Sequence, residues 1–365
     1  MSPLRILVKA AVLVVLVSFL FAFVNSTALG SLTLYNHLFP GRERLPFGEN
    51  QQAAYNLSLY NVKAMFATHV LDASAPDDGT YRVFLLGDSS VWGTLLTPDQ
   101  TLAGQLNAAG LILCGKPARF FNLGYPSLSL TKDLMLLNEA LRYEPDHIVW
   151  LATLESFPRE NQLAVPILAN NPERARDLIA RFGLALEPED ANLVDPGFGG
   201  RTLIGQRRNL ADLVRLQFYG VMWAATGIDQ TYPVDYERAA TDLAPDVTFH
   251  GRTPPALDPD TLAFDELDAG FGIAEDVPLM LVNEPILVSE GANSDIRYNF
   301  FYPRWAYDQF RQSLSARAAE RGWNYLDLWN IVPAGEFTNS AIHLTSAGEA
   351  LVARRIATAL EASCR

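Results

Sequence analysis

Short apolar runs without polar alternation recur along the chain, and segments with helical periodicity lie between them. The clearest run is Val-Phe-Leu-Leu at residues 83–86, closed by Gly87. Such a run indicates a strand buried on both faces, as in a parallel sheet covered by helices. The other predicted strands are residues 119–123, 147–152, 278–282 and 325–328. The predicted helices are residues 102–109, 130–142, 306–321 and 346–361. This alternation predicts an α/β fold, a three-layer α/β/α sandwich with a parallel sheet.

The N-terminal segment is long and apolar enough to cross a membrane. Residues 6–24 contain one lysine and one serine among apolar residues, close to the ~20 residues that a spanning helix needs. Arg5 and Lys9 lie at its start and the next Lys or Arg is Arg42, so the positive-inside rule predicts a single-pass cell-membrane protein with a cytoplasmic N-terminus. A cleaved signal peptide is the alternative, because small residues at 26–28 suit cleavage. The main domain is extracytoplasmic in both cases, and secreted if cleavage occurs.

The sequence pattern divides the chain into three segments. Residues 1–30 form the transmembrane anchor or signal peptide, and residues 31–80, which lack a sustained period, form a neck or arm. Residues 81–365 form the α/β domain, interrupted at 159–275 by a large, mostly helical insertion. Within it, residues 210–228 are apolar, and we interpret them as an amphipathic core helix in preference to a membrane-contacting one.

Charge and residue counts exclude several classes of function. The 41 acidic and 28 basic residues give a net charge of -13, which argues against nucleic acid as a partner. The five histidines show no metal-ligand spacing, so we expect no metal and no cofactor. Outside the cytoplasm, Cys114 and Cys364 can form one disulfide, and two unpaired buried thiols are the alternative.

A Gly-Asp-Ser sequence follows the first predicted strand directly. A serine on a tight strand-to-helix turn presents its hydroxyl at the carboxyl edge of the sheet, where ligands bind, and its N–H toward a developing oxyanion. With Gly93 four residues after Ser89, this block resembles the first block of the SGNH or GDSL hydrolase family. Residues 122–127, 145–156 and 337–348 are similar to the family's later blocks, in the family's order.

The resemblance covers residues 82–156 and 278–361, and it implies a flavodoxin-like sandwich with a serine hydrolase site. It implies that Ser89 is the nucleophile and His343 is its base. It further implies that the N–H groups of Ser89 and Gly124 form the oxyanion hole.

Two positions depart from the family pattern. Glu155 stands where the family has its oxyanion-hole asparagine, and Ser340 and Asn339 stand three and four residues before His343, where the family has an aspartate. Asn339 can orient the imidazole without charge, as Asn does in papain-like proteases. Alternatively, Glu155 supplies the missing carboxylate to His343, or stays protonated and acts as a donor.

These features predict an extracytoplasmic serine esterase or O-acyltransferase. Its substrate would be an acylated small molecule, or an ester of a cell-envelope glycan or lipid, and the N-terminal helix would hold it at the membrane. Asn283 and Glu284, at the end of a predicted strand, are expected to line the pocket. The alternative is a catalytically inactive SGNH-like ectodomain that serves as a binding or assembly subunit.

Overall fold

The computed structural model describes residues 2–24, 33–40, 48–49, 60, 62–71, 79–193, 195 and 197–364. The strands are β1 Tyr81–Leu86, β2 Ile112–Leu113, β3 Lys116–Asn122, β4 His147–Ala152, β5 Leu279–Asn283 and β6 Asn324–Asp327. The first helices are α1 Pro3–Phe21, α2 Leu34–Leu38, α3 Val62–Phe66, α4 Ser89–Trp92, α5 Leu102–Ala108, α6 Leu130–Ala140 and α7 Pro166–Ala169. The remaining helices are α8 Pro172–Phe182, α9 Phe198–Arg201, α10 Arg207–Thr226, α11 Phe264–Ile273, α12 Arg304–Arg321 and α13 Ser346–Ser363.

The six strands form one sheet in the order β2-β3-β1-β4-β5-β6. All neighbours are parallel except β2, which pairs antiparallel with β3. The predicted strands and parallel sheet are therefore confirmed. The edge strand β2 was not predicted, because two residues are too few to show a period. The carboxyl ends of the five parallel strands meet at one edge of the sheet.

Helices cover both faces of the sheet. On one face, α5 and α13 contact each other and share a core with alternate strand side chains such as Val83 and Leu85. On the other face, α6 and α11 pack together, and a Cβ on Gly270 of α11 would lie 2.3 Å from the Trp150 ring of β4. Because strand side chains alternate between faces, each strand contributes to both cores. This is the predicted three-layer sandwich.

The chain divides into two compact units whose bounds differ from the predicted ones. The larger unit, Leu71–Asn192 and Tyr232–Arg365, contains the sheet. The smaller unit comprises Met1–Val70 and Leu193–Thr231. The predicted insertion at 159–275 is divided between the two units. Its helices α8 and α11 contact α6 and belong to the larger unit, because their buried apolar faces complete a helical layer there. The predicted neck at 31–80 lies partly outside the described residues.

The first helix of the smaller unit matches the apolar N-terminal segment. Among the described residues, α1 is the one helix long and apolar enough to cross a membrane, with a mean hydropathy of 2.5. Most of its side chains are exposed. Its length and composition suit either a membrane anchor or a signal sequence.

The interpretation of residues 210–228 as a core helix is wrong. They form most of α10, in which only Gly220 and Ala224 are buried. Gly220 lies against the Tyr35 ring of α2, so the narrow buried stripe of α10 faces α2. Phe218 and Met222 on its other side are exposed. Apolar content alone did not distinguish a core-facing side chain from an outward-facing one.

The predicted pairing of the two cysteines is confirmed. Cys114 and Cys364 form a disulfide with a Cα–Cα distance of 4.9 Å, joining the turn after β2 to the end of α13. The bridge links residues 250 positions apart. It therefore ties the edge of the sheet to the closing helix.

We expect Cys114→Ser to lower the free energy of unfolding by about 2–4 kcal/mol, because the open chain regains the entropy that the bridge removes. Chemical denaturation of the full chain in detergent micelles measures this. Cys364→Ser should give the same loss, and the double variant no more than either alone. Equal stability of the oxidised wild type and Cys114→Ser would contradict the prediction.

Candidate active site

The turn after β1 places Ser89 at the carboxyl edge of the sheet. Asp88 is the N-cap of α4, and its Oδ1 accepts a hydrogen bond of 2.8 Å from the Ser90 N–H. Gly93 ends this short helix with φ of 90°, a left-handed conformation that glycine adopts without strain. Ser89 is therefore the first residue of α4, with its side chain half-buried at the edge.

A second turn, just before α13, carries His343. The Thr338 N–H donates to the His343 carbonyl oxygen at 2.8 Å, and Phe337 forms an antiparallel bridge with Leu344. Thr345 then caps α13 by accepting from the Gly348 N–H. The structure thus brings His343 to Ser89, with 2.8 Å between His343 Nε2 and Ser89 Oγ.

Asn339 occupies the third position of this chain of hydrogen bonds. Its Oδ1 lies 2.8 Å from His343 Nδ1. An amide oxygen can only accept, so Nδ1 carries the proton and Nε2 is left to accept from the Ser89 hydroxyl. This assignment comes from the hydrogen-bond network. Asn339 therefore selects the tautomer in which His343 can act as a base toward Ser89.

Burial lowers the pKa of His343 below its ordinary value, and the negative charge of Asp88 partly opposes this effect. The neutral imidazole is therefore the stable form near neutral pH. Because Asn339 is uncharged, the carboxylate that favours protonation of His343 is Asp88. Asp88 lies in the turn after β1 that carries Ser89, which we call the nucleophile turn.

We expect the acid limb of kcat/KM to have its midpoint below pH 6.5, the ordinary pKa of histidine. The sign follows from the required form: a base must be neutral, and a lowered pKa keeps it neutral to lower pH. A pH–rate profile of ester hydrolysis measures the midpoint. A midpoint above the ordinary value would mean that a carboxylate contacts the imidazole directly.

Glu155 does not contact His343, so the hypothesis that it supplies the orienting carboxylate is wrong. Its Oε1 lies 2.8 Å from His250 Nε2, and this hydrogen bond raises the pKa of His250. The Glu155 N–H donates to the Tyr302 hydroxyl oxygen at 3.2 Å. His343 Nδ1 already has Asn339 as its partner. Glu155 and His250 therefore form a separate carboxyl–imidazole pair.

We expect Glu155→Gln to change kcat/KM by less than about tenfold, because no group in the Ser89–His343–Asn339 chain loses a partner. His250→Gln removes the other half of the pair and should have the same small effect. Steady-state hydrolysis of an activated ester measures both. A loss of about 10²-fold or more in Glu155→Gln alone would show that this carboxylate takes part in the reaction.

The two predicted oxyanion donors differ in their availability. The Ser89 N–H donates to no acceptor within the described part of the chain. The Gly124 N–H instead donates to Asn122 Oδ1 at 3.0 Å. It is therefore not available to the oxyanion, contrary to the prediction. A Cβ on Gly124 would lie 2.4 Å from the Trp92 nitrogen, which explains why only glycine fits there. Gly124 can serve the oxyanion only after Asn122 turns away.

Behind Ser89 lies a buried pair of carboxyl groups that the sequence did not reveal as a pair. Glu284 follows β5, and its Oε2 accepts from the Ser90 hydroxyl at 2.5 Å. The second oxygen of each carboxyl, Asp88 Oδ2 and Glu284 Oε1, is buried with no donor among the described residues. Burial and the charge of Asp88 raise the pKa of Glu284 well above its ordinary value. Burial and the neighbouring charge thus both favour the protonated form of Glu284.

A buried lysine fixes the nucleophile turn from the other side. Lys132 of α6 donates from Nζ to the Gly87 carbonyl at 2.8 Å and to the Tyr125 carbonyl at 3.3 Å. Its charge is balanced by Asp133, with 2.5 Å between Nζ and Oδ1. Both side chains are almost completely buried, and the two hydrogen bonds of Lys132 hold the turns after β1 and β3 together. Lys132 gave no signal in the sequence, since a lone lysine in a helix is ordinarily exposed.

Comparison with known proteins finds distant similarity to solved structures. No protein-family model matches the chain, and no curated protein matches it. Among solved structures, a lipolytic G-D-S-L family member from Veillonella parvula is 11% identical, covering 75% of this chain and 94% of its own, with a TM-score of 0.35. A carbohydrate acetylesterase family member from Sinorhizobium meliloti is 14% identical, covering 77% and 97%, with a TM-score of 0.35. The lipase/acylhydrolase from Enterococcus faecalis is 14% identical, covering 77% and 96%, with a TM-score of 0.38. At such distances only the geometry of the site itself supports an activity.

Proposed function

We propose that this chain is a serine hydrolase or acyltransferase that acts on carboxylic esters. The observation that carries the proposal is the continuous chain from Ser89 Oγ through His343 to Asn339, with 2.8 Å at each step. A nucleophile, a base and a group that orients the base are the components that nucleophilic catalysis of acyl transfer requires. Their position at the carboxyl edge of a parallel sheet is where a ligand is expected.

The reaction proceeds in two halves. Ser89 Oγ attacks the ester carbonyl while His343 Nε2 takes its proton, and the Ser89 N–H donates to the oxyanion of the tetrahedral intermediate. The imidazolium then gives the proton to the departing alkoxide, which leaves an acyl group on Ser89. Water or an acceptor hydroxyl, deprotonated by His343, attacks the acyl carbon, and the imidazolium returns the proton to Ser89 Oγ as the acyl–oxygen bond breaks. The acceptor decides whether the outcome is hydrolysis or transfer.

We propose that α1 anchors the protein in the cell membrane with its N-terminus in the cytoplasm. Arg5 and Lys9 at the start of α1 support this orientation, and the Cys114–Cys364 disulfide supports an oxidising compartment for the larger unit. From this location we infer that the substrate is an acylated glycan or lipid of the cell envelope.

Hydrolysis of p-nitrophenyl acetate by the full chain in detergent tests the proposed chemistry. We expect turnover by the wild type and its near-complete loss in His343→Ala. Thr358→Ala, on the exposed side of α13, is the control variant and should keep wild-type activity. No turnover by the wild type on this ester or on acetylated sugars and lipids would favour the alternative, an inactive ectodomain that binds a partner.

A further inference from the structure

The smaller unit carries an exposed apolar surface in addition to α1. It is formed by α9, the turn after it and the outward side of α10, and we call it the α9–α10 surface. Its exposed apolar residues are Phe198, Ile204, Val214, Phe218, Tyr219, Met222 and Trp223. Phe218, for example, is 63% exposed. Soluble proteins rarely expose this many large apolar side chains together, so this surface is expected to contact a membrane or another molecule.

The α9–α10 surface begins where α1 ends. The Phe198 ring lies 5.4 Å from the Phe19 ring and 6.1 Å from the Phe23 ring, centroid to centroid. The Ile204 N–H donates to Ser18 Oγ at 3.4 Å. These contacts hold the start of the surface against the last turns of the apolar helix.

The length of α1 determines how deep in the bilayer these contacts lie. Its 19 residues, at about 1.5 Å each, match the ~30 Å hydrocarbon core of a bilayer. When α1 spans the membrane from the cytoplasmic side, Ser18 and Phe23 lie at its outer boundary. Phe198 and Ile204, which pack against them, must then lie at the outer leaflet.

The charges along the surface follow the same geometry. Arg201, Arg207, Arg208 and Arg215 lie in its N-terminal part, where the one acidic residue, Asp212, pairs with Arg215 at 3.1 Å, although the chain as a whole has a net charge of -13. Residues 216–228 contain no charged residue. Tyr219 and Trp223 in this part are the residue types that favour the membrane–water interface, and arginines favour lipid phosphates.

We propose that the α9–α10 surface lies in the outer interface of the membrane, with its apolar residues among the acyl chains and its arginines at anionic headgroups. The orientation of α10 supports this, because the stripe containing Gly220 faces α2 and leaves Phe218, Met222 and Trp223 to the outside. The proposal rests on the proposed anchoring by α1 and is independent of catalysis at Ser89.

Tryptophan quenching by brominated lipid tests the proposal. The full chain is reconstituted in vesicles of phosphatidylcholine brominated on the acyl chains, and its emission is compared with that in unbrominated vesicles. We expect quenching of the wild type and loss of that quenching in Trp223→Phe. Trp305→Phe, a matched control in the larger unit whose Nε1 donates to the Val247 carbonyl, should be quenched as the wild type is.

Equal quenching of wild type and Trp223→Phe would overturn the proposal. Quenching by acrylamide, which acts from water, then shows what contacts Trp223. Strong quenching means that water covers it, and no quenching means that a second copy or another protein does. Adding phosphatidylglycerol should increase lipid quenching in the wild type but not in the Arg207→Gln, Arg208→Gln variant, and an equal increase in both would remove the headgroup part of the proposal. Intact mass distinguishes a failure of anchoring, because a processed chain released from the membrane lacks α1. Ester hydrolysis is unaffected by any of these outcomes.

Discussion

Replacing Ser89 with Ala should lower kcat/KM for ester cleavage by about 10⁴–10⁶-fold, because no other group can form the acyl intermediate. His343 Nε2 would lose its hydrogen-bond partner, and only binding and the remaining donors would act on the substrate. Steady-state kinetics on p-nitrophenyl acetate measure the loss. The folded state should be unaffected, since Ser89 is half-buried and its hydroxyl bonds only His343 among the described residues.

Ser90 provides the matched control. It is the next residue in α4, but its hydroxyl donates to Glu284 and does not contact His343. Ser90→Ala should therefore retain far more activity than Ser89→Ala. If Ser89→Ala stayed within about tenfold of the wild type, or if the two variants lost activity equally, Ser89 would not be the nucleophile.

Replacing Asn339 with Ala should lower kcat/KM by about 10²–10⁴-fold, because Nδ1 of His343 loses the acceptor that selects its tautomer. The imidazole would then rotate and spend part of its time with Nε2 protonated, a form that cannot accept from Ser89. Steady-state kinetics on the same ester measure this loss. Ser340→Ala is the control, since Ser340 stands at the other position that the sequence offered for an orienting group.

Asn339→Asp separates orientation from charge. A carboxylate keeps the acceptor and adds a negative charge, so the midpoint of the acid limb should move to higher pH, since the charge favours the imidazolium. An unchanged midpoint in Asn339→Asp, together with wild-type activity in Asn339→Ala, would show that Asn339 has no role in orienting His343.

The fold was predictable because burial on both faces leaves a strong pattern. The strands around Val83 and Val149 are continuous apolar runs, and only a parallel sheet between helices buries such runs fully. The helices α6 and α13 directly follow Ser129 and Thr345, ordinary N-cap residues, and show apolar periodicity. Local sequence patterns were therefore sufficient to predict the sheet and the helical layers that cover it.

The site was predictable where a motif marked the end of a strand. Ser89 follows such a signal directly, whereas His343 was marked by the motif just before the predicted closing helix, and Asn339 stands four residues before it. The partners of Glu155 and Gly124 were not predictable in this way. His250 lies 95 residues from Glu155 in a segment without periodic pattern, so nothing local links the two. Whether the Gly124 N–H is free depends on the rotamer of Asn122, which no spacing rule specifies.

Composition alone could not predict which way the apolar residues of α10 in the smaller unit face. The apolar residues of α10 suit a core as well as a lipid boundary, and only their exposure in the folded chain separates these cases. The same holds for Glu284, whose role beside Asp88 depends on two strands that are far apart in the sequence.

The most direct measurement of the central claim is the site of covalent labelling by a fluorophosphonate, which reacts with an activated serine. After digestion, peptide mass spectrometry of the wild type should place the adduct on Ser89, and neither Ser89→Ala nor His343→Ala should be labelled. An adduct on another residue, labelling that survives either substitution, or no labelling of the wild type would contradict the assignment of Ser89 and His343 as nucleophile and base.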